Sequence, residues 1–225
     1  VDVLLHTASP FPLQNPKDEQ DLIRPAVEGT LRALKAAKAA GVQRVILTSS
    51  SAAVYEGHED DGQKVFDESD WSDTDSPTIA AYSKSKTFAE QAAWDFVRDE
   101  APEMQLTAIN PTMVIGPPLD VHFGSSVSLL QRIVASKDPA VPMIGLSFVD
   151  IRDIAAMHVA AISTPESIGK RHIGASGFMW LPDVAKAVAR AYPQRKTVPR
   201  RAPNWLVRIL ALFDSDVRAA VPLLD

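Results

Sequence analysis

Tyr82 and Lys86 stand four residues apart in Tyr82-Ser83-Lys84-Ser85-Lys86, downstream of the cluster Thr48-Ser49-Ser50-Ser51. On a helix this spacing puts phenol and ammonium on one face, one turn apart. A strand that ends in serines just before such a helix can bring a hydroxyl beside the phenol. A free phenol ionises near pH 10, too high for ready proton exchange at neutrality, at about that value in model peptides. A neighbouring ammonium stabilises the phenolate and lowers that value. Serine, tyrosine and lysine in this order form a relay that can move a proton to or from the oxygen of a carbonyl or alcohol.

Such a relay needs strands and helices to hold it. Val1-Asp2-Val3-Leu4-Leu5-His6 is a short, mostly apolar run of the buried-strand kind, closed by Thr7-Ala8-Ser9-Pro10. From Asp18 to Ala40, Leu22, Ile23, Ala26, Val27, Leu31 and Leu34 recur at helical spacing, and Gly41 closes the stripe. Arg44-Val45-Ile46-Leu47-Thr48 is the next strand, and the serine cluster follows it. Residues 57–77 are polar and acidic and read as a solvated loop; the alternating ligands, glycine and closing glutamate of a calcium loop are missing. A helix is expected over Ile79 to Asp99, a strand at Leu106-Thr107-Ala108-Ile109, and helices over Val127 to Val134, Ile154 to Ile162 and Asp183 to Ala191. Phe148 to Asp153 starts a further element, and Arg171-His172-Ile173-Gly174 reads as a short strand. Strands alternating with helices predict an α/β, doubly wound parallel sheet.

Composition narrows the function. The 225 residues include 46% hydrophobic and 23% charged residues, with a formal net charge of -5. Those are the proportions of an ordinary globular protein. No continuous basic surface suggests a nucleic-acid or anionic-membrane partner. The absence of cysteine removes disulfides, thiolate metal sites and cysteine nucleophiles, and the five histidines show no metal-ligand spacing, so no metal is expected. No signal peptide and no membrane-spanning run are read from the sequence, which gives the expectation of a cytoplasmic enzyme acting on a small molecule.

Four ordered stretches carry a resemblance: Thr48-Ser49-Ser50-Ser51-Ala52-Ala53-Val54-Tyr55, Tyr82-x-x-x-Lys86, Pro111-Thr112-x-Val114-x-Gly116-Pro117 and Phe148-Val149-Asp150-Ile151-Arg152-Asp153. Together they resemble the extended short-chain dehydrogenase/reductases of the NAD-dependent epimerase/dehydratase superfamily, in particular the dihydroflavonol reductase-like branch with its aldehyde and cinnamoyl-CoA reductases. Ala89-Glu90-Gln91-Ala92-Ala93-Trp94 is similar to that branch too. The resemblance implies a Rossmann-like sheet with a small C-terminal substrate-binding region. Residues 1–115 would form a partial dinucleotide-binding domain, and 116–225 mainly the substrate region interleaved with the last sheet elements. Tyr82 would be the general acid, Lys86 its modulator and a ribose ligand, and Ser51 the hydroxyl that orients the substrate oxygen. Thr7, Ala8, Ser9, Thr48, Ser49, Pro111, Thr112, Met113, Val114 and Ser126 would line the cofactor with Tyr82 and Lys86. Phe11, Tyr55, His122 and Phe123 would face the substrate. Asp150, Arg152 and Asp153 are read as a local structural cluster, and Trp180, Trp205 and Phe213 as packing residues.

Two departures matter. No Gly-x-Gly-x-x-Gly turn occurs, and the chain opens on what resembles the fourth strand of the sheet, so a partial record lacking the N-terminal strands is expected. The choice between NADP and NAD is therefore not readable from the chain; NADP is the commoner habit of the branch. The run Pro77-Thr78-Ile79-Ala80-Ala81-Tyr82 lacks the cinnamoyl-CoA reductase signature, and Tyr55 or Glu56 replaces the flavonoid-contacting asparagine. What remains is reversible NAD(P)H-dependent reduction of a small aldehyde or ketone, by a monomer or homodimer. The alternatives are a sugar-nucleotide epimerase or dehydratase, against which Ala52-Ala53 counts, and a catalytically silent dinucleotide-binding protein.

Overall fold

The computed structural model describes residues 1–11, 16–58, 64–121, 124–135, 140–195 and 200–214, with 217, 221 and 224. The chain divides into two compact units, Val1–Thr112 with Arg152–Gly174, and Met113–Ile151 with Ala175–Asp225.

The first unit is built on a four-stranded parallel sheet, in the order β1 (Val3–His6), β2 (Arg44–Thr48), β3 (Gln105–Pro111), β6 (Arg171–Gly174). Parallel pairing requires long crossovers. α1 (Gln20–Ala39) crosses from β1 to β2, and α2 (Ala81–Asp99) from the β2 end to β3. Leu22, Ala26, Thr30, Leu34 and Ala37 put one stripe of α1 in the interior. Ala93 and Phe96 of α2 meet Leu34 and Ala37 of α1 over Val45 and Leu47 of β2 and Leu106 of β3, in one apolar core. That core fixes the two helices against the strand ends that carry the site. The parallel α/β fold is the one expected.

β2 carries a buried charge at its start. Arg44, 7% exposed, donates to the Gln105 carbonyl at 2.6 Å, Thr107 Oγ1 at 2.9 Å, Ser167 Oγ at 2.8 Å and the Ala161 carbonyl. The guanidinium thereby joins β2 and β3 to the end of α4 (Ile151–Ser163) and the 3₁₀ turn Pro165–Ser167.

Beyond β2 the chain forms a 3₁₀ turn at Ser51–Ala53 and then reverses at Gly57, whose φ of 83° suits glycine. A Cβ there would lie 2.3 Å from the Asp73 carbonyl oxygen. Ser72 ties the returning strand of loop to the turn, donating from Oγ to the Ala52 carbonyl at 2.8 Å and accepting from the Glu56 N–H at 2.9 Å.

In the second unit β5 (Gly145–Asp150) pairs parallel with β4 (Met113–Ile115) and antiparallel with β7 (Gly177–Trp180). Ile133 of α3 (Ser125–Val134), Phe148 of β5, and Leu181 and Ala185 of α5 (Leu181–Ala191) share its core. Neither β4 nor β7 is expected from the sequence; the first lies between Pro111 and Gly116-Pro117, and three or four residues show no period. The short helix α6 (Asn204–Leu210) is also new, and Trp205 and Phe213, read as packing residues, are 64% and 85% exposed. No helix among the described residues is long and apolar enough to cross a membrane.

Replacing Arg44 by Ala strips buried oxygens of their donor. The expected loss of unfolding free energy, read from urea denaturation, is about 2–4 kcal/mol.

Candidate active site

Ser50 caps the 3₁₀ turn: its backbone is extended and its Oγ accepts from the Ala52 N–H at 3.2 Å. The same hydroxyl acts on the Tyr82 phenol, whose pKa it lowers. Ser51, one residue on in the turn, acts in the same direction on the Tyr55 phenol. The sequence expectation gives the hydroxyl role to Ser51; of the two serines, Ser50 is the one whose hydroxyl acts on the Tyr82 phenol.

Tyr82 is the second residue of α2, after an extended Ala80. The Phe11 ring stands edge-on to the Tyr82 ring, centroids 4.9 Å apart and planes at 90°. One turn along, Lys86 is 8% exposed and its Nζ lies 5.6 Å from the Tyr82 ring centroid. Burial lowers the Lys86 ammonium to about 8. Burial also raises the Tyr82 phenol, with a lowering from Ser50 and a further rise from Tyr55. Desolvation thus acts on both groups in the direction of their neutral forms. The expected net lowering of the phenol is not what this arrangement gives.

A cleft opens on the other side of Lys86, lined by His6, Ala8, Ser9, Thr30, Thr48 and Ser49 among others. Of the expected cofactor contacts it brings together Ala8, Ser9, Thr48, Ser49 and Lys86; Thr7 is exposed and does not line it. His6 Nε2 is buried there with no hydrogen-bond partner among the described residues, and burial followed by the Lys86 charge lowers the ring's pKa. Thr48 Oγ1 lies 2.7 Å from His158 Nε2, and His158 Nδ1 lies 2.7 Å from the Ile154 carbonyl. Thr112 donates its hydroxyl to the Gly174 carbonyl at 3.0 Å, as does its backbone N–H, which splices the end of β3 to β6. Pro111 is buried at the end of β3. Met113, Val114 and Ser126 belong to the second unit. His122 and Phe123 lie outside the described residues.

Several polar residues here were not singled out from the sequence. Glu90 and Asn110 are 1% and 0% exposed. Glu90 accepts from Ser49 Oγ at 2.6 Å, Asn110 Nδ2 at 2.7 Å and Arg171 Nε at 2.7 Å. The signal was present: Tyr82, Lys86 and Glu90 fall at i, i+4 and i+8 on one helical face. A glutamate in a helix ordinarily faces water, which hides it.

A phenol under the influence of a hydroxyl, with an ammonium one turn away, can exchange a proton with an oxygen placed against it. Residues 1–174 match the model of the NAD dependent epimerase/dehydratase family, a span that contains the whole first unit. The chain is 35% identical over 213 residues to the NADPH-dependent methylglyoxal reductase GRE2 of Saccharomyces cerevisiae, covering 87% of this chain and 62% of that reductase. It is 33% identical over 195 residues to cinnamoyl-CoA reductase 1 of Arabidopsis thaliana, covering 86% of this chain and 55% of that enzyme. The chain thus spans less than two thirds of the length of these two relatives. The crystal structure of yeast methylglyoxal/isovaleraldehyde reductase Gre2 with NADPH superposes with a TM-score of 0.79 at 28% identity, over 98% of this chain and 76% of that one.

Because the folded state holds Lys86 at about 8 against the usual 10.5, it pays for the ammonium at lower pH and is relieved as the proton leaves. Stability relative to Lys86→Met is therefore expected to rise between those two values, by on the order of 3 kcal/mol, in paired denaturation curves across the alkaline range.

Proposed function

Since the chain belongs to the NAD dependent epimerase/dehydratase family, we propose that it carries the site for reversible NADPH-dependent reduction of a small aldehyde or ketone. The single observation that carries this reading is the Tyr82 ring with the buried Lys86 one helical turn on, its ammonium 5.6 Å from the ring centroid. The relatives support the substrate class and the cofactor, since GRE2 is named an NADPH-dependent methylglyoxal reductase.

Reduction of a carbonyl delivers hydride to carbon and a proton to oxygen. NADPH supplies the hydride when bound. The Tyr82 phenol, held protonated at neutral pH by its burial, donates the proton to the carbonyl oxygen. Ser50, whose hydroxyl acts on the phenol, orients that oxygen, a role the sequence reading gave to Ser51. As the phenol loses its proton, the Lys86 ammonium stabilises the phenolate that forms. In the oxidative direction the same groups take the proton back from the alcohol.

The polar lining of the cleft, donors and acceptors together, fits the nicotinamide-ribose end of the cofactor. It offers the Lys86 ammonium, the Thr30 and Thr48 hydroxyls and the unpartnered ring nitrogen of His6, groups that suit ribose hydroxyls and a carboxamide. Ala8, Ser9, Thr48, Ser49 and Lys86 would hold this end. Thr7, Pro111, Thr112, Met113, Val114 and Ser126 are proposed as further cofactor contacts. Phe11, edge-on to Tyr82, and Tyr55 would form the apolar wall for the substrate. The division of labour proposed is a dinucleotide-binding region over 1–115 and a mainly substrate-binding region over 116–225.

Two hydroxyl variants and one phenol variant test the assignment. With methylglyoxal or isovaleraldehyde as substrate and nicotinamide absorbance as the readout, Tyr82→Phe is expected to lower kcat by about 100-fold or more. Ser50→Ala should lose at least about tenfold more than Ser51→Ala. Full turnover by Tyr82→Phe removes the phenol from the mechanism, and a larger loss in Ser51→Ala returns the hydroxyl role to Ser51.

A further inference from the structure

We infer that Glu90 is a positioning residue for the proton relay: its buried carboxylate sets α2 against the β2 turn so that the Tyr82 phenol meets the Ser50 hydroxyl. The inference rests on the reading of Tyr82 as proton donor.

Glu90 sits two turns along α2 from Tyr82 and one from Lys86, and its side chain has no exposed surface. Its Oε2 accepts from Ser49 Oγ at 2.6 Å and Asn110 Nδ2 at 2.7 Å. Its Oε1 accepts from Arg171 Nε at 2.7 Å and Trp94 Nε1 at 3.3 Å. These donors come from the ends of β2 and β3, from β6 and from α2 itself. Asn110 is the link that reaches the relay, since its Nδ2 also donates to the Ser50 carbonyl at 3.1 Å. The orientation of its amide is forced, because both of its neighbours on that side are acceptors.

Arg171 extends the same clamp to the backbone on the far side of the turn. It donates to the Ala53 carbonyl at 3.2 Å, the Glu68 carbonyl at 3.0 Å and the Asp70 carbonyl. Its guanidinium lies 3.8 Å from the Trp71 ring centroid. Ser50 to Ala53 is therefore gripped at both ends, at Ser50 through Asn110 and at Ala53 through Arg171, and both grips end on Glu90. None of these hydrogen bonds among the described residues is made to the Tyr82 phenol. What they fix is the placement of the turn relative to the helix, and a displacement of about 1 Å between reacting groups is enough to cost on the order of 100-fold in rate.

The test compares Glu90→Gln and Asn110→Ala with the parent in the full chain, at a temperature where circular dichroism shows each variant folded. The first readout is independent of activity. With three tyrosines in the chain, 13Cζ-tyrosine NMR resolves Tyr82 from Tyr55 and Tyr192. The Tyr82 titration is expected to move in both variants while that of Tyr192 stays in place. The second readout is turnover: kcat should fall about 10- to 100-fold, with KM and the NADPH dissociation constant within about threefold of the parent. A purely structural role for Glu90 predicts a lower melting temperature with an unmoved Tyr82 titration and an unchanged kcat in the folded protein, and either of those last two results overturns the inference. If Glu90→Gln does not fold, Asn110→Ala decides by the same criteria. Tyr82→Phe runs alongside: should it keep full turnover, the reductase reading fails and the NMR arm alone judges the positioning role.

Discussion

A carboxylate taken out of water must be met by donors on every side, because desolvation costs more than any single hydrogen bond returns. Glu90 meets that condition with four donors drawn from three strands or strand ends and its own helix. Its partner Arg171 is itself only 8% exposed in its side chain. Losing one member of such a pair strands the other, a penalty of about 3–5 kcal/mol. The pairing consequently tolerates one register between α2 and the sheet, and the residues that face each other across that junction inherit it.

The opposite end of β2 solves the same problem differently. Arg44 is buried among carbonyl and hydroxyl oxygens with no carboxylate contact among its described hydrogen bonds. Neutral oxygens suffice for a delocalised guanidinium, which is weakly hydrated and presents five donors in a fixed fork. The first strand after α1 is thus pinned at its start by a cation and just past its end, at Ser49, by an anion. Between these pins Val45, Ile46 and Leu47 are almost wholly enclosed.

Much of this was legible in the residues. The long amphipathic helices α1 and α2 and the apolar strands β1 to β3 follow their periodicity closely, because burial of one stripe or one strand leaves little choice. β4 and β7 were not legible: Met113–Ile115 is too short for a pattern, and Gly177–Trp180 lacks alternation. The phenol, the ammonium and a hydroxyl could be named from spacing alone. Spacing alone does not separate Ser50 from Ser51, because adjacent serines at one strand end look alike in the sequence. The direction of the Tyr82 shift was hidden for a related reason. Spacing reveals a neighbouring charge, whereas desolvation depends on everything packed around the ring.

Thr48 shows what one histidine can dictate at a distance. The Ile154 carbonyl has only lone pairs to give, so His158 Nδ1 must carry a proton. In the neutral ring Nε2 is then an acceptor, and the Thr48 hydroxyl spends its only hydrogen on it. Opposite that neutral ring the threonine keeps lone pairs alone for the cleft side. It greets N–H and O–H groups and turns away carbonyl or phosphate oxygens, so a helix residue outside the cleft fixes the polarity of one point on its wall.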